Sequence, residues 1–277
     1  MSYQHAVAAA AAFPAVIAAA VAVAAMMAGA TTGRAAEGEV PADIADMKVQ
    51  DLRAGGVEKR RYFVIRKDGE APKDGWRTLF VLPGGSGDAG FQPFVTRIAK
   101  NALPDGYLVV QLVAPIWNPD QAKNNVWPLN KTGVPELKFT TQDFFLAVRA
   151  EVAKAHKLDP RYSFTLTWSS SGPSGYAISL LPKSGITGSF VAMSVFKPET
   201  LPRLAAAKSQ PYYVYHSPTE FIPLAQAEAA RDTLRKAGAV VELQTYEGGH
   251  GWQGNVFRDI RKGIEWLEKQ VEKKAPR

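Results

Sequence analysis

The chain has 277 residues, a formal charge of +7, four histidines and no cysteine. Its length suits one large domain with a sizeable core. The lack of cysteine excludes disulfides, thiolate nucleophiles and Cys-ligated metals, and no HxH or HExxH spacing marks a metal site. No block of Lys and Arg interleaved with aromatics marks a nucleic-acid surface, so the basic excess reads as a solvated face, compatible with a weak preference for anionic substrates or envelope surfaces.

Residues 6–30 are almost wholly Ala, Val, Ile, Met and Phe, without a charged side chain. Ala28-Gly29-Ala30 fits a small-x-small cleavage site, and Ala36 is a later candidate end. Residues 1–30 therefore read as a secretory signal peptide. This implies a periplasmic or extracellular mature protein with no stable membrane span after cleavage. The rival is an uncleaved anchor, since only the amino terminus and His5 supply positive charge before the apolar run. A polar linker is expected over 31–46 and a single domain over 47–277.

Beyond the linker, short β-rich runs alternate with helical patterns. Residues 61–65 alternate in strand fashion, and a turn-rich connection follows over 68–75. Residues 78–82 and 107–112 are apolar runs suited to strands buried on both faces. Residues 164–167, 189–193, 212–215 and 240–243 complete the set. Between them, 140–156 carries Phe144, Phe145, Val148 and Val152 at helical spacing, with Thr140 and Asp143 resembling a capping box. Residues 224–236 end at Gly238, a helix stop. Residues 257–271 present Ile260, Ile264, Trp266, Leu267 and Val271 along one helix. This order predicts an α/β fold: a mostly parallel twisted sheet with helices on both faces. Ligands of such sheets bind at the carboxyl ends of the strands.

Three motifs fall at those ends. The first is Thr167-Trp168-Ser169-Ser170-Ser171-Gly172-Pro173, a strand-to-helix turn that can expose a serine nucleophile. Ser170 is favoured, because Gly172 then stands two positions on and Pro173 suits a first helical turn. It leaves the large Trp168 two positions before. Ser169 would instead have Thr167 and Ser171 in those places, and Ser171 would have Ser169 and Pro173. The second motif brings Glu220, the candidate acid, with Glu247 as fallback. The third is Gly249-His250-Gly251, in which a neutral imidazole can take the serine proton and return it to a leaving group. His216 precedes the acid and is assigned a structural role. Serine, acid and base in this order suit a nucleophile–acid–base relay.

Upstream, Leu82-Pro83-Gly84-Gly85-Ser86-Gly87-Asp88 is a glycine-rich loop whose N–H groups can reach a developing oxyanion. Gly85 (with Ser86 as near alternative) and Ser171, the residue after the favoured nucleophile, are the expected donors. The loop lacks GxxxxGK[ST] and GxGxxG, which argues against phosphate binding. Trp117, Trp127 and Trp252 are candidates to line an acyl or aryl pocket, with core packing the alternative for each.

From Lys59 to its end the chain resembles exported bacterial members of the α/β-hydrolase superfamily, the phospholipase/carboxylesterases, dienelactone hydrolases and depolymerase-like esterases. The likeness is carried by the Trp168-to-Pro173 elbow, similar to Trp-Ser-Ser-Gly-Gly-Pro, and by Gly248-Gly249-His250-Gly251-Trp252. Such relatives usually have Asp where this chain has Glu220. The resemblance implies carboxylic ester hydrolysis without a cofactor. With the residues read above, the expectation is a serine esterase that acts on a small-molecule ester through an acyl-enzyme, using Ser170, His250 and Glu220. A peptidase or thioesterase on the same fold, and a non-catalytic binding protein that kept the fold, are the alternatives.

Overall fold

The structure is a computed structural model that describes residues 41–274, except 131, 132 and 202. The expected signal peptide and most of the expected linker lie outside the described residues. Part of that linker is packed, not free. A short 3-10 turn at Ala42–Ile44 buries Ile44, Arg97 pairs with Asp43, and Lys100 with Asp46.

Eight strands form one sheet: β1 (Lys48–Arg53), β2 (Arg61–Arg66), β3 (Trp76–Leu82), β4 (Tyr107–Leu112), β5 (Leu158–Trp168), β6 (Gly188–Ala192), β7 (Pro211–His216) and β8 (Val240–Thr245). Their spatial order is β1-β2-β4-β3-β5-β6-β7-β8. The β1–β2 and β2–β4 pairs are antiparallel, and every pair from β4–β3 to β7–β8 is parallel. The helices are α1 (Gln92–Asn101), α2 (Pro119–Asn124), α3 (Thr141–Ala155), α4 (Gly172–Ser179), α5 (Leu224–Lys236) and α6 (Val256–Lys274).

Strand alternation sends neighbouring side chains to opposite faces. Leu79 and Val81 of β3 join Val109, Phe164, Leu166 and Phe190 beneath α1 and α6, whose Ile98, Ile260, Ile264 and Leu267 close that core. Phe80 and Leu82 face the other way, with Leu108 and Val110, against Phe144, Phe145 and Val148 of α3. A third cluster seats α4 and α5 on Val191, Tyr212 and Val214. The central strands are therefore buried on both sides, which is why they read as largely apolar runs. Thr140 caps α3 as expected: its hydroxyl accepts the Asp143 N–H at 3.2 Å, and the Asp143 carboxylate accepts the Thr140 N–H at 3.0 Å.

Two elements differ from the sequence reading. Strand β1 was not expected: its residues are largely exposed, and its Lys, Gln, Asp and Arg belong to a solvated sheet edge. Strand β5 runs from Leu158, well before the expected start at 164, because its first residues pair with the start of β3.

Candidate active site

Three strand ends, at Trp168, His216 and Thr245, converge on one edge of the sheet. After β5 the chain turns at once into α4. Ser169, at the apex, has φ +55°. An L-residue holds that conformation at a cost of about 1–2 kcal/mol. The turn is bound on every side. The Ser171 hydroxyl accepts the Trp168 N–H at 3.0 Å and donates to the Leu82 carbonyl at 2.6 Å, tying the elbow to the end of β3. Helix α4 then leaves so close to the sheet that a Cβ on Gly172 would lie 2.2 Å from Ser194, and one on Gly175 2.4 Å from Thr167 Oγ1. Glycine is required at both positions by space, because neither has a positive φ.

His250 approaches from the loop after β8. Gly248, Gly249 and Gly251 take φ of +123°, +75° and +118°, which lets the loop fold the ring back toward the elbow. Its anchors are numerous. The Gly249 N–H donates to Ser217 Oγ at 3.0 Å, the Gly251 N–H lies 3.0 Å from Met193 Sδ, and the Tyr246 hydroxyl reaches the Gly249 and Gly251 carbonyls at 2.8 and 3.1 Å.

Glu220 comes from the loop after β7, held by the Glu220 N–H to the Ser217 carbonyl at 3.2 Å. The carboxylate is fully shielded from solvent while the imidazole is about one-third exposed. Oε1 accepts from His250 Nδ1 at 2.6 Å and from the Phe221 N–H at 3.1 Å. A proton on Nδ1 leaves Nε2 as the acceptor, and Nε2 lies 2.9 Å from Ser169 Oγ. Serine hydroxyl, imidazole and carboxylate thus form one continuous hydrogen-bonded line. His216 is buried, with Nε2 2.9 Å from the Ile222 carbonyl, and steadies the Glu220 loop. Glu247 is exposed, and the His250 Nδ1 hydrogen bond goes to Glu220 instead.

The serine on that line is not the expected one. Ser170, favoured from the sequence, turns away and donates to the Gly85 carbonyl at 2.9 Å. Ser169 takes the apex because the residues two before and two after it, Thr167 and Ser171, are small and buried, whereas Trp168 occupies a large site of its own. The indole packs edge-on against Phe91, Phe94 and Trp252, and leaves room for no side chain at Gly84. The small flanks of Ser169 were the signal in the sequence that could have found it. Gly172, the reason for preferring Ser170, is needed for the approach to Ser194. The expectation for the Ser171 N–H changes with it. The residue after the apex is Ser170, and Ser171 is a buried pin.

The glycine loop lies beside the elbow. Gly85 and Gly87 have φ of +58° and +62°, and the Gly87 N–H closes a tight turn on the Gly84 carbonyl at 3.0 Å. Trp127 Nε1 donates to the Pro83 carbonyl at 2.9 Å, and the Ser86 hydroxyl to Asp88 at 2.6 Å. Trp127 also lines a cavity of about 650 Å³ that reaches Ser170. The other two tryptophans lie elsewhere. Trp117 packs on Phe139 beneath Lys59, and Trp252 rests between Trp168 and Tyr215 at the margin of the α1–α6 core. Among the described residues no cluster of three or more His, Asp or Glu could hold a metal ion, and no helix is long and apolar enough to cross a membrane.

The sequence matches no family model and no curated protein. Solved structures do match. Thermogutta terrifontis esterase 2 phosphonylated by sarin superposes with a TM-score of 0.59 at 14% identity, over 87% of this chain and 99% of that one. MGS-M1, an α/β hydrolase enzyme from a Medee basin deep-sea metagenome library, gives 0.57 at 14% identity, over 82% and 99%. YahD with malic acid gives 0.53 at 15% identity, over 76% and 98%. With the strand order and the placement of the elbow, these likenesses show that the chain has the α/β-hydrolase fold.

Proposed function

We propose that this chain is a serine hydrolase that cleaves carboxylic esters through an acyl-enzyme. The observation that carries the reading is the unbroken line from Ser169 Oγ through His250 to the buried Glu220 carboxylate. Ser169 Oγ attacks the ester carbonyl carbon as its proton passes to His250 Nε2. Glu220 fixes the tautomer and stabilises the imidazolium. The oxyanion of the tetrahedral intermediate is met by the N–H groups of Ser170 and Gly85. Collapse breaks the ester C–O bond, and His250 returns the proton to the departing alkoxide. Water then repeats the sequence on the acyl-serine, releasing the acid and restoring the hydroxyl. The structural neighbours support this chemistry: one is an esterase phosphonylated by sarin, and the same esterase is known with propionate bound.

A fluorophosphonate probe followed by peptide mapping tests the reading. Label on Ser169, lost in Ser169→Ala, is expected. Label on another residue, or none with no ester hydrolysed, would overturn it. Rates on p-nitrophenyl acyl esters, thioesters and aminoacyl anilides rank the ester reading against thioesterase and peptidase activity. Export is part of the same proposal. It rests on the apolar leader of the sequence and includes cleavage of that leader, so an intact Met1 on the protein recovered from a membrane fraction would refute export with cleavage.

A further inference from the structure

The cavity beside the elbow carries more information than its size. It touches Ser170, the residue next to the nucleophile, but not Ser169, His250 or Glu220. A leaving alcohol must receive its proton from His250 Nε2, so the alcohol departs on the His250 side and the acyl chain lies on the Ser170 side. On the reading of Ser169 as the nucleophile, the cavity that opens at the adjacent Ser170 is the candidate acyl pocket. Its volume, about 650 Å³, holds a chain of several carbons with room to spare.

Its walls divide by chemistry. Trp127, Val195 and Phe196 supply an apolar surface, while Lys123 of α2 and Lys197 of the loop after β6 stand among the lining residues, both exposed. No lining residue is acidic among the described residues. Among the described residues neither lysine forms an ion pair with the acids nearest along the chain. Asp120 accepts from Asn124 Nδ2 at 2.7 Å, and Glu199 is not in the wall. Elsewhere on the described surface, basic side chains commonly sit against acids, as Arg97 does on Asp43, Lys100 on Asp46 and Lys67 on Asp105. In this pocket two ammonium groups flank an apolar wall with no carboxylate among the described lining residues, an arrangement that attracts an anion carried on a hydrocarbon chain.

We propose that Lys123 and Lys197 select esters whose acyl chain ends in a carboxylate, that is, monoesters of dicarboxylic acids. The proposal rests on the reading of Ser169 as the nucleophile. The methylenes of the acyl chain lie against Trp127, Val195 and Phe196, and the distal carboxylate meets the two ammonium groups at the mouth. The pairs are partly solvated, so their effect is modest and sensitive to salt.

The experiment compares kcat/KM for p-nitrophenyl hydrogen glutarate with that for p-nitrophenyl pentanoate, in the full chain and in Lys123→Gln/Lys197→Gln. The anionic ester is expected to be preferred at low salt. The preference should fall about tenfold in the double variant, the size of two partly solvated charge contacts, and shrink as salt rises to about 0.5 M. A wild-type preference for the neutral ester, or a ratio indifferent to both lysines, overturns the proposal. A second measurement needs no turnover: calorimetric binding of monomethyl glutarate and methyl pentanoate to Ser169→Ala, with and without the lysine substitutions. Lysine-dependent glutarate binding without hydrolysis of any ester would uphold the pocket and sink the hydrolase reading. Hydrolysis with binding that ignores the lysines would do the reverse.

Discussion

Ser169 Oγ lies 2.9 Å from His250 Nε2 although the two residues are 81 positions apart, and Ser169 holds a left-handed φ of +55° to reach it. The strain is retained because the Ser171 hydroxyl, the Leu82 carbonyl and the close approach of Gly172 leave the turn no relaxed alternative. Ser169→Ala is expected to lower kcat by about 10⁴-fold or more, since loss of one member of such a relay removes most of what the whole relay supplies. Ser170→Ala loses only the hydrogen bond to the Gly85 carbonyl, keeps its backbone N–H, and should cost tenfold or less, roughly the worth of one neutral hydrogen bond. Steady-state rates on one ester with both variants check the assignment. Equal losses would sink it.

Glu220 is buried, and its Oε1 already serves two donors. Glu220→Gln keeps the shape but removes the charge that opposes the developing imidazolium, and its amide can turn a donor toward Nδ1. We expect kcat to fall by roughly 10³–10⁴-fold with KM little altered, as when the acid of a triad is neutralised. A variant that retained more than a tenth of wild-type kcat would assign the acid's role elsewhere.

Tyr246 acts at one remove. Its single hydroxyl proton spans the carbonyls on both sides of His250, and its ring stacks on Tyr215 at 4.3 Å. Tyr246→Phe keeps the stack and frees the loop. Because small misplacements of a reacting group are costly, kcat should drop about tenfold while KM holds. Fluorophosphonate labelling of Ser169 should slow in proportion. A change in thermal midpoint with no change in kcat would mark the hydroxyl as a packing feature only.

How much of this could be read from the sequence depended on whether neighbours along the chain carried the information. The central strands could, since a strand buried on both faces is apolar at most positions, as at Leu79 to Leu82. The α3 cap could, because Thr140 and Asp143 satisfy each other locally. Strand β1 could not. It is held by backbone pairing with β2, and its side chains report only solvent. His250 and Glu220 were found from chain order and loop glycines. The choice between Ser169 and Ser170 turned on where Trp168 and Gly172 find space, against Gly84 and Ser194, and both partners are remote in sequence.

That remote partnership can be tested by substitution. Gly172→Ala drives a methyl to 2.2 Å from Ser194. Overpacking of this kind costs roughly 1–3 kcal/mol, and the thermal midpoint should fall by several degrees. Ser194→Gly removes both offending atoms, so the double variant should regain most of the loss. A double variant no better than Gly172→Ala would show that the cost lies in α4 itself.

Alkaline stability follows from the tyrosines of β7. Burial pushes Tyr212 up to about 12, against the lowering effect of its hydrogen bond with Ser179, and burial, then the carboxylates of Glu242 and Asp259, push Tyr213 up to about 12. A raised folded value means that stability is intact below the unfolded pKa, near 10. It is lost as pH climbs from there toward 12, because the unfolded chain releases protons that the folded chain retains. Each tyrosine should contribute on the order of 2 kcal/mol to that loss once fully ionised in the unfolded state. Tyr212→Phe is tolerable at neutral pH, since the Ser179 hydroxyl still reaches the Tyr176 carbonyl at 2.7 Å. Its urea midpoint should therefore fall less between pH 9 and pH 11 than that of the wild type. Parallel midpoints for the two proteins across that interval would show that Tyr212 does not govern the transition.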